Sequence, residues 1–407
     1  MKNLLIAQSG GPTAVINATL AGIIEYAYAN NQVDQVFGAI NGIQGVLEER
    51  FIDLREKVRN SVDINLLCQT PAAALGSCRF KLADYKNNKE QYRNIINILK
   101  KKQITYFIYI GGNDSMDTVD KLSSYCNQQG ITDITIVGAP KTIDNDLIGT
   151  DHSPGFGSAA KYIGITFAEL ERDCRVYASK AVTIVEVMGR NTGWLTAASS
   201  LARLNGNQGP DLIYLCEHVF DEDKFLNDVR QQLKYKPSVL IAVSEGIKNR
   251  DGNYISHELQ KNTSDSFGHN YLSGASKVLE ETIRKEIGCK VRSVELNLMQ
   301  RCAGHLASRT DVREARSVGM RACQYATEGR KGVMAAIIRT SNAPYQIIYK
   351  PVPVCSVSNR ERKVPDCYIN EEGNDVTISI IDYLRPLIEG QTDLEYDKGI
   401  PKYIDLY

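Results

Sequence analysis

The feature that most constrains this chain is a recurring unit: a short apolar run, then a glycine or polar turn, then a helix-period segment. Residues 4–7 read as a buried strand, Gly10-Gly11 as a tight turn, and 12–29 as the helix that follows. Further apolar runs at 106–110, 134–137, 182–187, 212–215, 239–243, 291–296 and 333–338 are mostly separated by helical segments. Alternation of this kind predicts βαβ units, hence an α/β fold with mainly parallel sheets covered by helices on both faces. Roughly nine such units exceed one ordinary open sheet, so the expectation is two lobes. The pattern lapses from about residue 345 into a Pro- and charge-rich tail, 350–407, with one apolar stretch at 376–384. That tail is expected to dock on the lobes.

Composition narrows the function classes. The chain has 407 residues and balanced charge, 48 Lys plus Arg against 48 Asp plus Glu, so no global bias points to nucleic acid or membrane. No stretch approaches the roughly 18 apolar residues of a spanning helix. Residues 1–10 lack the long apolar segment and cleavage site of a signal peptide. Ten cysteines without C-x-x-C spacing read as reduced thiols in a cytoplasmic protein. Five scattered histidines argue against a histidine-based metal site.

The turns carry the chemistry. Ser9-Gly10-Gly11 after the first strand lets the backbone approach an anion at a helix start, though many α/β turns hold two glycines for steric reasons alone. Gly111-Gly112-Asn113-Asp114-Ser115 repeats that geometry, but Asp114 would repel a phosphate unless a cation compensates, and helix N-capping explains the same residues. Pro140-Lys141-Thr142-Ile143-Asp144-Asn145-Asp146 supplies a cation for phosphate, a hydroxyl for positioning, and a carboxylate able to take a proton from an attacking alcohol. Gly155-Phe156-Gly157 resembles a dinucleotide fingerprint only superficially, because no strand precedes it; a helix start is the better reading. Met188-Gly189-Arg190 and Ser244-Glu245-Gly246 end strands, where ligands of open α/β sheets bind. Arg292, Gln300 and Arg301 add polar groups and cations near strand ends. Each alone has a structural explanation; together they outline a pocket for an anionic sugar.

These segments, with Gly76 to Phe80 and Glu186, resemble the phosphofructokinase family over residues 3–338. The resemblance implies two Rossmann-like lobes with the active site in the cleft between them. Residues 1–154 with about 300–345 would hold the phosphoryl donor, 155–299 fructose 6-phosphate, and 346–407 would form a C-terminal extension. ATP-using members carry Gly-Gly-Asp-Gly in the second turn and a Gly before Thr-Ile-Asp in the third. Asp114 and Lys141 are instead the pair seen in pyrophosphate-dependent members, with Asp114 placed where the α-phosphate of ATP would go.

By the same resemblance, Asp144 is the general base for the C1 hydroxyl of the sugar, with Lys141 and Asp114 beside it as catalytic residues. Thr142, Ile143, Asp144, Met188, Gly189, Arg190, Glu245, Leu298 and Arg301 match fructose 6-phosphate contacts. Gly11 and Arg79 match diphosphate contacts. Arg292 matches an arginine that reaches a neighbouring subunit, which implies a homodimer or homotetramer. The implied cofactor is Mg²⁺, with Asn113 at the position where the family has a magnesium-associated Asp. Two further departures are Ala181, where many members have a second intersubunit arginine, and Leu298, where His or Tyr is usual. The implied reaction is reversible transfer from pyrophosphate to fructose 6-phosphate. Its rivals are an ATP-dependent kinase of the same fold, a non-catalytic sugar-phosphate-binding subunit and, more distantly, an NAD-dependent dehydrogenase.

Overall fold

Strands β1 (Asn3–Gln8) and β4 (Ile104–Gly111) are apolar along nearly their whole length, which only a sheet covered on both faces can accommodate. The computed structural model describes residues 2–176, 178–258 and 274–407. Two compact units emerge, one of residues 1–158, 301–361 and 389–407, the other of 159–300 and 362–388. Among the described residues no helix is long and apolar enough to cross a membrane.

In the first unit, β1 and β4 join β2 (Val36–Ala39), β3 (Phe51–Asp53), β5 (Thr135–Pro140), β10 (Val333–Asn342) and β11 (Tyr345–Pro353). The seven strands run in the order β11-β10-β5-β4-β1-β2-β3. From β10 to β2 all neighbours are parallel, and an antiparallel strand closes each edge. The period-2 alternation of a strand divides the core. Leu4, Ile6, Ile108 and Ile110 face the helices Ile16–Ala29 and Arg309–Thr327. Leu5, Ala7, Phe107 and Tyr109 face the helices Lys89–Lys101 and Asn113–Gln128.

The tail is therefore not one extension. Residues 345–353 form β11, an edge strand that the sequence hid because Pro351 and Pro353 interrupt its alternation; prolines are tolerated at a sheet edge, where half of the N–H groups need no partner. Residues 362–388 belong to the second unit, where the Trp194 indole donates to the Arg362 carbonyl at 3.0 Å and its ring lies 5.4 Å from that of Tyr383. Residues 389–407 return to the first unit and carry the short hairpin β12 (Tyr396–Asp397) and β13 (Ile400–Pro401).

The second unit is built on an all-parallel sheet in the order β7-β8-β6-β9, from β6 (Ala181–Val187), β7 (Leu212–Tyr214), β8 (Ser238–Ser244) and β9 (Lys290–Glu295). Its core joins Val182, Ile184, Ile241 and Val243 to Phe225 and Val229 of the helix Glu222–Tyr235 and to Leu279 and Ile283 of the helix Ala275–Glu286. Buried Glu186, one of the residues carrying the family resemblance, accepts the Gly274 and Ser276 N–H groups at 3.1 and 2.8 Å, so it caps that last helix.

Two glycines fix how the Ile16 and Arg309 helices cross. A Cβ on Gly22 would lie 1.9 Å from the Arg316 carbonyl oxygen, and one on Gly319 would lie 2.0 Å from that of Thr19. Alanine ordinarily stabilises a helix by about 1 kcal/mol over glycine. At Gly319 overpacking against backbone outweighs that gain, so Gly319→Ala is expected to destabilise the fold by about 2 kcal/mol in urea unfolding. A stabilised variant would show that the helices part freely.

Candidate active site

In the first sheet β1 has β2 on one side and β4 on the other, so the connections diverge at the carboxyl ends of β1 and β4. Open α/β sheets bind ligands at such a point because the loops splay apart there. Three of the sequence-predicted turns leave adjacent strand ends: Ser9-Gly10-Gly11 after β1, Gly111-Gly112 after β4, and Lys141 after β5. The Lys141 N–H donates to the Gly111 carbonyl at 2.9 Å, which ties two of them together.

Lys141 is 2 % exposed, and its ammonium donates to the Gly11 carbonyl at 2.6 Å. Burial pulls its pKa down to about 8; Asp144 and Asp146 oppose that, and Arg301 adds to it. Both glycines of the first turn matter here. A side chain on Gly10, whose φ is +78°, would begin 3.2 Å from Lys141 Nζ, and one on Gly11 would begin 3.4 Å from an Arg301 guanidinium nitrogen. The turn thus brings bare backbone beside two cations, a cradle suited to a polyanion. Arg79 is exposed on the neighbouring loop, held there because Ser77 donates to the Gly10 carbonyl at 2.6 Å and Gly10 N–H to the Cys78 carbonyl at 3.3 Å.

Behind Lys141, Thr142 accepts the Asp144 N–H at 3.1 Å. Ile143 is buried, and Asn145 sits at φ +54° with its side chain accepting the Ser153 N–H at 3.1 Å. Asp144 and Asp146 both lie close enough to Lys141 to raise its pKa. Asp146 is pushed up to about 7, first by burial and then by Asp144, and its buried Oδ1 has no hydrogen-bond partner.

Asp114 and Lys141 do not pair with each other. Asp114, at the start of the Asn113 helix, has Lys81 as its cation at 3.6 Å, a residue that sequence reasoning passed over although it lies two positions after Arg79. Asn113, expected at the metal position, meets protein backbone here. Its amide oxygen accepts the Asn359 N–H at 2.7 Å and its amide nitrogen donates to the Arg360 carbonyl at 2.6 Å, so both ends serve protein backbone. Among the described residues no three His, Cys, Asp or Glu side chains form a ready-made metal cage.

In the second unit the loops that leave the adjacent parallel strands β6 and β8 meet at their carboxyl ends. Glu245 accepts the Gly189 N–H at 3.2 Å, Ser244 donates to the Gly189 carbonyl at 2.7 Å, and Gln300 accepts the Met188 N–H at 3.2 Å. Gly246 packs so closely that a Cβ would lie 1.9 Å from the Arg190 carbonyl oxygen. Met188, Gly189, Arg190 and Glu245 are thus brought together, and the buried Arg190 Nε has no partner. Leu298, 53 % exposed, follows β9. Arg292 stands apart: it is exposed and in register with Thr183, four residues before the carboxyl end of β6, which is about 13 Å along the strand.

The loop behind Asp144 is anchored by a buried polar network. Asp311 accepts the N–H groups of Gly155 and Ser158 at 3.0 and 2.8 Å. His152 meets Glu314 at 2.5 Å and Asp151 at 2.8 Å; Tyr345 donates to Glu314 at 2.7 Å and Arg339 to Asp151 at 3.0 Å. Burial lowers the His152 pKa, but Glu314 and Asp151 together outweigh it and carry it to about 9.

The sequence matches the Phosphofructokinase family over residues 3–326. It is 41 % identical, over 99 % of this chain and 96 % of the relative, to a pyrophosphate–fructose 6-phosphate 1-phosphotransferase of Xanthomonas campestris. Identity is 38 % to the protein of the same name in Methylococcus capsulatus, over 100 % of this chain and 96 % of that one. The crystal structure of a pyrophosphate-dependent phosphofructokinase from Nitrosospira multiformis superposes with a TM-score of 0.89 at 37 % identity, covering 99 % of this chain and 96 % of the other.

The His152 network gives a pH test of the site's foundation. Because the folded pKa of about 9 lies above the ordinary 6.5, the stabilisation is complete below pH 6.5 and lost as pH rises through 9. His152→Gln should cost about 3 kcal/mol in urea unfolding at pH 6, with the difference from the unaltered protein shrinking towards pH 9. A pH-independent difference would mean His152 is buried neutral. The family match over residues 3–326 and the full-length similarity to these relatives settle the grouping: this chain belongs to the phosphofructokinase family.

Proposed function

We infer that this protein is a pyrophosphate–fructose 6-phosphate 1-phosphotransferase that moves one phosphoryl group of pyrophosphate to the C1 hydroxyl of fructose 6-phosphate. The products are fructose 1,6-bisphosphate and phosphate. The observation that carries this reading is Lys141, a buried ammonium on the glycine turn, at the position where ATP-using members have glycine. Pyrophosphate and the product ester lie close in energy, so the reaction is readily reversible.

Each side chain then has a task. Gly11, Arg79 and Lys141 surround the donor with N–H groups and positive charge, which stabilise the phosphoryl oxygens as the bridging bond breaks, and Arg301 adds its charge from the fructose 6-phosphate side. Asp144 takes the C1 hydroxyl proton as that oxygen attacks. Thr142 and Ile143 hold Asp144 in place. Met188, Gly189, Arg190 and Glu245 bind fructose 6-phosphate, and Leu298 borders its site. Asp114 places negative charge against any donor extended by a nucleoside. The exposure of Arg292, remote from this cluster, supports its reaching the sugar phosphate of a neighbouring subunit in a homodimer or homotetramer.

Magnesium fits the chain's chemistry. The unpartnered buried oxygen of Asp146, beside Asp144, is the kind of ligand a hard cation takes, with remaining positions filled by substrate oxygens and water. Bound there, the ion would neutralise charge on the pyrophosphate. Ten free cysteines agree with a reducing cytoplasm.

Fructose 6-phosphate should be phosphorylated with pyrophosphate and negligibly with ATP at equal concentration, in a coupled assay; comparable ATP rates would refute the donor assignment. Asp144→Ser should lower kcat by about 10²- to 10⁴-fold with little change in fructose 6-phosphate binding. Near-normal kcat would remove Asp144 from the base role.

A further inference from the structure

Both ends of the Asn113 amide are used, and what they hold is a five-residue segment, 357–361. The segment starts in the core with Val357 fully buried. Ser358 then donates to Asp120 at 3.2 Å, and the Asn359 side chain donates to Asp117 at 2.8 Å. Asn113 accepts the Asn359 N–H and donates to the Arg360 carbonyl. Asn113, Asp117 and Asp120 lie at i, i+4 and i+7, so the segment runs along one face of the Asn113 helix from its first turn. Asn359 has φ +58°, a left-handed bend that turns the chain towards its last contact. There Glu361 makes an antiparallel bridge with Leu147, just beyond Asp144 and Asp146, and its charge helps raise the Asp146 pKa.

One strap therefore ties the turn that carries Asp114 to the loop that carries Lys141, Asp144 and Asp146. The two are joined on their inner side by the Lys141 N–H to Gly111 bond. With both ties made, the distance between the α-helical first turn and the lysine loop is fixed. Asn113 can do this because an amide offers a donor and an acceptor at once; an aspartate could accept from Asn359 but would repel the Arg360 carbonyl.

We propose that residues 357–361, stapled by Asn113 and Asn359, form a strap that sets the span of the donor site and so positions pyrophosphate. The proposal rests on the functional reading above. Asn113 and Asn359 are positioning residues: they touch the strap and the helix, and act on the donor through the two loops. Misplacement of donor groups raises the donor's KM, whereas fructose 6-phosphate keeps Met188, Gly189, Arg190 and Glu245 of the second unit, so its KM moves far less.

The test uses the full-length enzyme. Pyrophosphate turnover by the unaltered protein is measured first; its absence overturns the functional reading and the proposal together. With turnover present, Asn113→Leu, which keeps the branched outline and removes both amide bonds, should raise KM for pyrophosphate about tenfold. KM for fructose 6-phosphate should stay within about twofold. Asn359→Gly, which keeps the left-handed bend and removes the bond to Asp117 from the strap side, should shift the same KM in the same direction, and it carries the test should the leucine variant not fold. Hydrogen exchange of peptides covering 357–361 should quicken in both. Faster exchange with both KM values unchanged, or with both raised equally, overturns the strap while the functional reading stands.

Discussion

A single ammonium group withdrawn from water organises the loops at the carboxyl edge of the first sheet. Lys141 is almost wholly buried, and loss of hydration would by itself favour the neutral amine. What keeps the cation in range is its contact with the Gly11 carbonyl and the charges of Asp144 and Asp146. The depression from 10.5 to about 8 corresponds to on the order of 3 kcal/mol of unfavourable environment, held in place by the rest of the fold. A polyanion bound against Lys141 relieves that cost, whereas water would relieve it without selectivity.

Every larger feature of the first unit serves this arrangement. Parallel strands β1, β4 and β5 put three loops side by side, and only their order in the sheet makes Gly11, Gly111 and Lys141 neighbours. The backbone contact of the Ile16 and Arg309 helices through Gly22 and Gly319 fixes the helix that follows the first glycine turn. The same Arg309 helix supplies Asp311 and Glu314, which anchor the loop behind Asp144 through Gly155, Ser158 and His152. The Asp144 loop and the core of the unit thus share residues, so substitutions at His152 or Asp311 act on both.

Much of this was legible in the chain because strands buried on both faces leave uninterrupted apolar runs; each of the eight runs picked out corresponds to a strand. β2 was missed because it has only four residues with a glycine among them, β3 because it has three half-buried ones, and β11 because prolines interrupt the alternation of a half-buried edge strand. The glycine turns were visible as motifs, since only glycine suits Gly10 at φ +78° next to Lys141 Nζ. Pairings distant in sequence were not visible. Nothing local to Asp114 names Lys81 as its cation, and nothing local to Asn113 names Asn359 and Arg360, 246 and 247 residues away. Asp146 was quoted as part of its motif without a role, because its burial and unpartnered oxygen exist only after folding.

The most direct test of the central claim is an NMR titration of the Lys141 side chain, labelled with ¹³C at Cε and assigned by comparison with Lys141→Arg. The account predicts a midpoint near 8 in the free enzyme, moving upward when pyrophosphate is added because the bound anion favours the ammonium form. A midpoint near the ordinary 10.5, or one that pyrophosphate leaves unmoved, would contradict the claim that this buried lysine is the counter-charge of the donor.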